Sequence, residues 1–235
     1  MLAVARWKGF PDGRSCMTSC WSKIEAAVPT FRWVSVRAAL LLVVVILVPL
    51  QVQAEPWRLT SQKEGIKVEA RTLSGERFDE LRVSTVVPVA PHTVADFLVG
   101  AYLDQANKNI RRTFVKRSRE LTIWSDVLTA PAISARCYSM RFERSSLQAN
   151  GEVKVRFSST DYIGPKPSVD CILLKTRGEW NMAPVAEGTR LTYVSLTDVG
   201  GGTPALLVRR SLTKAAVQSV EKVTAGALGL QQPRD

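Results

Sequence analysis

The residue types that could do chemistry in this chain are few and scattered. The one histidine is His92, next to Pro91 where a helix begins. A single imidazole builds no metal site, and His92 reads as a solvated surface residue. No serine stands in a Gly-x-Ser-x-Gly elbow, and no Cys-x-x-Cys pair or His-rich spacing is present. No catalytic residue, metal or cofactor is therefore expected. The run Gly200-Gly201-Gly202 either forms an anion-binding nest at a helix start or lets a strand turn into a helix; the turn is the plainer reading.

Arg136 is more informative. Alternation over 136–144 places Tyr138, Met140 and Phe142 on one face of a strand, and Arg136 shares that face. A buried guanidinium is costly unless paired. Arg136 then meets a carboxylate such as Asp198 or greets the polar head of a ligand.

The elements that must position these groups read mainly as strands. Residues 56–63 read as a short helix anchored by Trp57 and stopped by Gly65. Strands follow at 66–71 and 80–87, and a helix from Pro91 carries Val94, Phe97, Leu98 and Tyr102. Further strands are expected at 112–117, 120–129, 136–144, 151–159, 171–182 and 189–198. Inward sets are Val153, Val155 and Phe157, then Ile172, Leu174, Trp180 and Met182. One-sided antiparallel strands need a cover. A long helix supplies it, with Thr203 as N-cap, Pro204 at its first position and an end near Leu228. Its apolar stripe runs through Ala205, Val208, Leu212, Ala215, Ala216, Ser219, Val220 and Val223. So many small residues opposite a sheet leave either a ligand cavity or a tightly packed seam.

Composition excludes other classes. Apolar residues are 46% and charged residues 23% of 235, which rules out disorder as the main state. The one apolar run, residues 38–50, is too short for a full membrane span of about 20 residues. Arg32 and Arg37 precede it and Val52-Gln53-Ala54 follows, the order of a secretory signal peptide cleaved after Ala54. An uncleaved anchor is the alternative, and Met17 is a second candidate start. The leader, 1–54, holds six of the 32 basic groups and two of the 21 acidic ones, which leaves +7 for the remainder. The densest basic run, Arg111-Arg112-Thr113-Phe114-Val115-Lys116-Arg117, suits a solvated strand face or anionic lipid headgroups better than nucleic acid. Cys16 and Cys20 leave with the leader. Cys137 and Cys171 remain, as a disulfide or as two buried thiols. They can meet only if the strand between them ends near Phe157.

Several stretches in order carry a resemblance: Trp57-Arg58-Leu59 leading to Glu64-Gly65-Ile66-Lys67-Val68; Pro131 before Arg136; Gly178-Glu179-Trp180-Asn181-Met182-Ala183-Pro184; and Asp198-Val199-Gly200-Gly201 with Pro204. Together they resemble a bacterial START domain of the helix-grip superfamily, over 56–228. The resemblance implies an α+β fold for 55–230, a curved antiparallel sheet wrapped around the C-terminal helix, with a tunnel for a lipid or other hydrophobic small molecule. The ligand-binding residues expected are Arg136, Tyr138, Met140, Phe142, Trp180 and Met182 from strands, with Leu212 and Ala216 from the helix. Two departures stand out. The family has an Arg-Asp pair where this chain has Arg136-Cys137, and an aromatic where it has Asn107-Lys108-Asn109. The expected activity is non-enzymatic: binding and carriage of an apolar molecule outside the cytoplasm, by a monomer with transient membrane contact at the loop Tyr162-Ile163-Gly164-Pro165. The alternative is a cyclase- or hydratase-like enzyme using the same cavity.

Overall fold

The computed structural model describes residues 55–105, 108–130, 133–167, 169–202 and 204–230. The expected leader, Asn107, Pro131 and the Thr203 cap lie outside them. The chain begins with a correction. Glu64 (φ 51°) and Gly65 (φ 76°) both take left-handed backbone, as a two-residue type I′ hairpin turn requires. They join strand β1 (Arg58–Lys63) to β2 (Ile66–Arg71), with Lys63 paired to Ile66. The helix expected over 56–63 is therefore a strand, and Gly65 is a turn residue and not a helix stop. Trp57 lies on the outer face between the guanidinium groups of Arg71 and Arg82, 4.4 and 4.3 Å from its ring centre.

The other elements are β3 (Glu80–Val87), α1 (Pro91–Val99), β4 (Ile110–Arg117), β5 (Leu121–Ala130), β6 (Ile133–Arg144), β7 (Val153–Thr160), β8 (Cys171–Leu173), β9 (Lys175–Val185), β10 (Gly188–Asp198) and α2 (Ala205–Gly229). They form one sheet in the order β1-β2-β3-β10-β9-β7-β6-β5-β4. Every pairing along that path is antiparallel. β1 and β4 are its edges, and the C-terminal α2 packs against the concave face. This is the expected α+β helix-grip architecture.

The expected strand 171–182 is two strands. β7 pairs with β6 only from Ser139 to Arg144, and β8 takes its place farther along, parallel to β6 at Ala135, Arg136 and Cys137. Leu174 breaks the run and donates its N–H to the Cys137 carbonyl. That substitution of one neighbour for another lets Cys137 and Cys171 meet as a disulfide, with Cα atoms 5.7 Å apart. Ile172 pairs with Arg136 and so keeps the expected face, where it packs against the turn between β10 and α2. Gly200 has φ 64° there, and a Cβ on it would stand 2.7 Å from Ile172 Cγ2 and 2.8 Å from the Leu173 carbonyl oxygen.

The core is built from the inward faces of β2, β3, β7, β9 and β10. Val68, Val83, Val155, Trp180, Met182 and Leu191 are buried against Val94 and Leu98 of α1 and Val220 and Val223 of α2. Where the two helices meet, a Cβ on Gly226 would fall 1.9 Å from Phe97 Cζ. Gly226 is thus the contact at which the ring of Phe97 touches the α2 backbone.

Candidate functional site

Strand register builds the site. Arg112 on β4 pairs with Asp126 on β5, and Asp126 pairs with Tyr138 on β6. Alternation turns this row toward α2, because it shares a face with the next row, Phe114, Trp124 and Met140. Farther round the concave face come Phe142, Phe157, Trp180 and Tyr193. Tyr102 and Leu103, just after α1, close the near side. With Thr176 these side chains line a cavity of about 190 Å³.

Aromatic rings make most of its wall. Trp180 and Tyr193 have ring centres 4.2 Å apart, Tyr193 and Phe157 5.7 Å, Phe157 and Phe142 5.6 Å, and Phe142 and Trp124 4.8 Å. Tyr102 stands edge-on to Trp180 at 6.3 Å. Such contacts add about 0.5–1.5 kcal/mol each beyond the area they bury, which favours one fixed wall over a deformable one.

One ion pair sits in this wall. Asp126 is fully buried, and its carboxylate accepts four hydrogen bonds. Arg112 donates Nε to Oδ1 (2.8 Å) and Nη2 to Oδ2 (2.7 Å). Trp124 Nε1 and the Tyr138 hydroxyl also donate to Oδ2, at 3.0 and 2.8 Å. Arg112 Nη1 donates to the Leu103 carbonyl, 2.9 Å away, and the guanidinium lies 4.8 Å over the Trp124 ring. A guanidinium carries five N–H groups, so two of Arg112's remain for another acceptor. Burial opposes its charge, yet the Asp126 carboxylate outweighs burial and raises the Arg112 pKa. Burial, with the Asp126 charge beside it, holds the Tyr138 hydroxyl far above the usual phenol range. Burial does the same to Tyr193, and it raises Tyr102 as well, where the Ser219 hydroxyl partly offsets it.

The cavity has a mouth. A cleft of about 540 Å³ shares Tyr102, Leu103, Arg112 and Tyr138 with it and opens between β4 and α2, past Ile110, Phe114, Ala215, Gln218, Ser219 and Lys222. Arg112 and Tyr138 thus stand where the two spaces join.

Of the expected ligand-binding residues, Tyr138, Met140, Phe142 and Trp180 line the cavity. Four others do not. Met182 is fully buried among Val153, Leu191 and the helices. Ala216 is packed into the core, and the alanine at the mouth is Ala215, one helical step of about 100° away. Leu212 faces the other end of the sheet, in a cleft with Leu59, Ala70, Phe78 and Leu81. Arg136 lies one register row beyond the ion pair, where β8 joins. It meets neither Asp198 nor the cavity, because Nε donates to the Val199 carbonyl (2.6 Å) and Nη1 to the Ser134 carbonyl (2.5 Å). Asp198 instead accepts the Gly200 N–H at 2.9 Å, so the glycine turn is held by the chain itself and not left as a phosphate nest.

Arg112, Asp126, Trp124, Tyr102 and Tyr193 are the residues that sequence reasoning missed. A signal was present: Arg112-x-Phe114 and Trp124-x-Asp126 each put a charge beside an aromatic at strand period. Cys137 and Cys171 lie on the opposite face of the sheet, the face on which the segment 161–167 rests at Ser125 and Ser139. That segment is held by the Ile163 N–H on Ser139 Oγ, 2.9 Å. Among the described residues no group of three His, Cys, Asp or Glu could hold a metal ion.

Solved structures of this shape are known. A STAR-related lipid transfer protein fragment from Xanthomonas axonopodis is 21% identical, covers 74% of this chain and 99% of its own, and superposes with a TM-score of 0.64. Human StAR-related lipid transfer protein 5 is 14% identical over 83% and 96% of the two chains, with a TM-score of 0.63. A human lipid transfer and protein localization domain matches at 14% identity over 76% and 90%, again with a TM-score of 0.63. No family model matches the sequence, and no curated protein does. The chain has a START-like helix-grip fold.

Proposed function

We propose that this protein binds and carries an apolar small molecule bearing one neutral oxygen, with its body in the aromatic cavity and its oxygen on Arg112. The observation that carries this reading is the saturated ion pair. Asp126 already accepts four hydrogen bonds, three of them on Oδ2, while Arg112 keeps two N–H groups where cavity and mouth join. The pair is electrically balanced. An anionic headgroup on those two N–H groups would set a second negative charge beside the buried Asp126 carboxylate, with one guanidinium to balance both. A hydroxyl or carbonyl oxygen adds no charge. The cavity volume of about 190 Å³ is small beside pockets of about 300–1,000 Å³ for drug-sized ligands, so a lipid fills both cavity and cleft. The lipid-transfer proteins that share the fold support an apolar ligand.

Carriage is favoured over catalysis by the titration of the lining. Its tyrosines are pushed upward by burial, away from neutral pH. None of these is poised as a general acid or base. An exported site of action is supported by the signal-like leader and by the Cys137–Cys171 bond, since disulfides persist in oxidising compartments. Native mass spectrometry of protein purified from its host, followed by organic extraction, tests the reading. One apolar molecule with a neutral oxygen, bound one to one, is expected. A phospholipid as the bound species overturns the headgroup argument. An empty protein that binds no fatty alcohol, fatty ketone or sterol overturns the ligand reading itself.

A further inference from the structure

The basic run on β4 is only partly explained by the cavity. Arg112 is spent on Asp126, and Arg117 is spent on Asp104, with two bonds of 2.6 and 2.7 Å. Arg111 and Lys116 form no ion pair with any described residue, and neither does Lys222 across the mouth on α2. The acid at the mouth, Asp104, is thus already neutralised. β4 is also a sheet edge, and its register shifts between Phe114 and Lys116. The shift leaves Val115 outside the pairing and 52% exposed, beside Phe114 at 37%.

We infer that the β4 edge, with Lys222 opposite, is a docking surface for an anionic lipid bilayer that sets the cavity mouth against the membrane. Charge selects this partner. A second copy would bring like cations together, and a displaced residue in an edge strand hinders strand-to-strand pairing. Single-stranded nucleic acid stacks its bases on open aromatic faces. Here a face of Phe114 is covered by the Arg117 guanidinium, 4.7 Å from its ring centre. A bilayer uses what is exposed: cations for headgroups, with Val115 and Phe114 for the interface beneath them.

The purpose of this surface rests on the ligand reading above, but its test does not, because vesicle binding is read without added ligand. The full chain is sedimented with phosphatidylcholine vesicles, with and without phosphatidylglycerol, at low and high salt. A leader retained on the protein would add the same salt-insensitive binding to every variant, so the salt-sensitive part is compared. Binding that needs phosphatidylglycerol and falls with salt is expected. The triple change Arg111→Gln, Lys116→Gln and Lys222→Gln should weaken it on the order of a hundredfold, about fivefold for each cation. Val115→Asp should also weaken it, with the three cations intact. Equal binding to neutral vesicles overturns the proposal. So does a triple variant that binds normally while Ile163→Asp, at the tip of the 161–170 loop, abolishes binding.

Discussion

At Arg112 the decisive quantity is the cost of leaving Asp126 alone. Its carboxylate is fully buried, and two of its four hydrogen bonds come from that one guanidinium. Removing one partner of a buried pair costs about 3–5 kcal/mol, whereas exchanging both for apolar groups is often nearly neutral. Arg112→Leu should therefore destabilise the protein by about that amount in urea unfolding. Adding Asp126→Leu should recover part of the loss, short of full recovery because Trp124 Nε1 and the Tyr138 hydroxyl lose their acceptor at about 1–3 kcal/mol each. A double variant as unstable as the sum of the two single changes would show that the pair is not coupled. The face of Tyr138 was legible, because it follows from period-two alternation within one strand. The partner of Arg112 was not. A cation in a run of cations looks solvated until the register sets it opposite a carboxylate fourteen residues on, and register is a property of two strands.

Among the elements, β8 shows the same limit. Its three residues read as the start of a longer strand, and the sequence has no mark at Leu174 to divide them. What divides them is competition for the edge of β6, which β7 leaves after Ser139 and β8 occupies from Cys137 to Ala135. The geometric condition for the disulfide was legible, since a bridge required β7 to stop early; that it does stop, at Thr160, was not. The bond closes a loop of 34 residues. On a chain-entropy account this contributes about 3–4 kcal/mol, through the unfolded state. Cys137→Ala with Cys171→Ala should lower unfolding stability by roughly that much in urea. The ion pair and cavity lie on the other face, so ligand retained per folded molecule should not change. Loss of ligand without loss of stability would mean instead that the 161–170 segment controls the cavity.

Across the whole molecule, the grip of sheet on helix was legible from one-sided strands and a small-residue helix, but the helix's rotation was not. A difference of one residue separates Ala215 at the mouth from Ala216 in the core, and both lie on the same broad apolar stripe. Rotation is set by the packing of Val208, Val220, Val223 and Ala227, with Gly226 against Phe97, and no single-helix pattern resolves it to one position. Tryptophan at the two sites separates a cavity that is used from one that is merely present. At Ala216 it must enter a filled core, at about 1–3 kcal/mol or more, and the melting temperature should fall. At Ala215, which is exposed, stability should change by no more than about 0.5 kcal/mol. The ring would then lie across the cleft between α2 and Phe114, and exchange of a fluorescent fatty alcohol into the protein should slow sharply. A stable Ala215→Trp protein that exchanges this probe at the unaltered rate would move the way in elsewhere. Slow exchange in a fold of unchanged stability places it between β4 and α2, where the cavity and its ion pair meet the cleft.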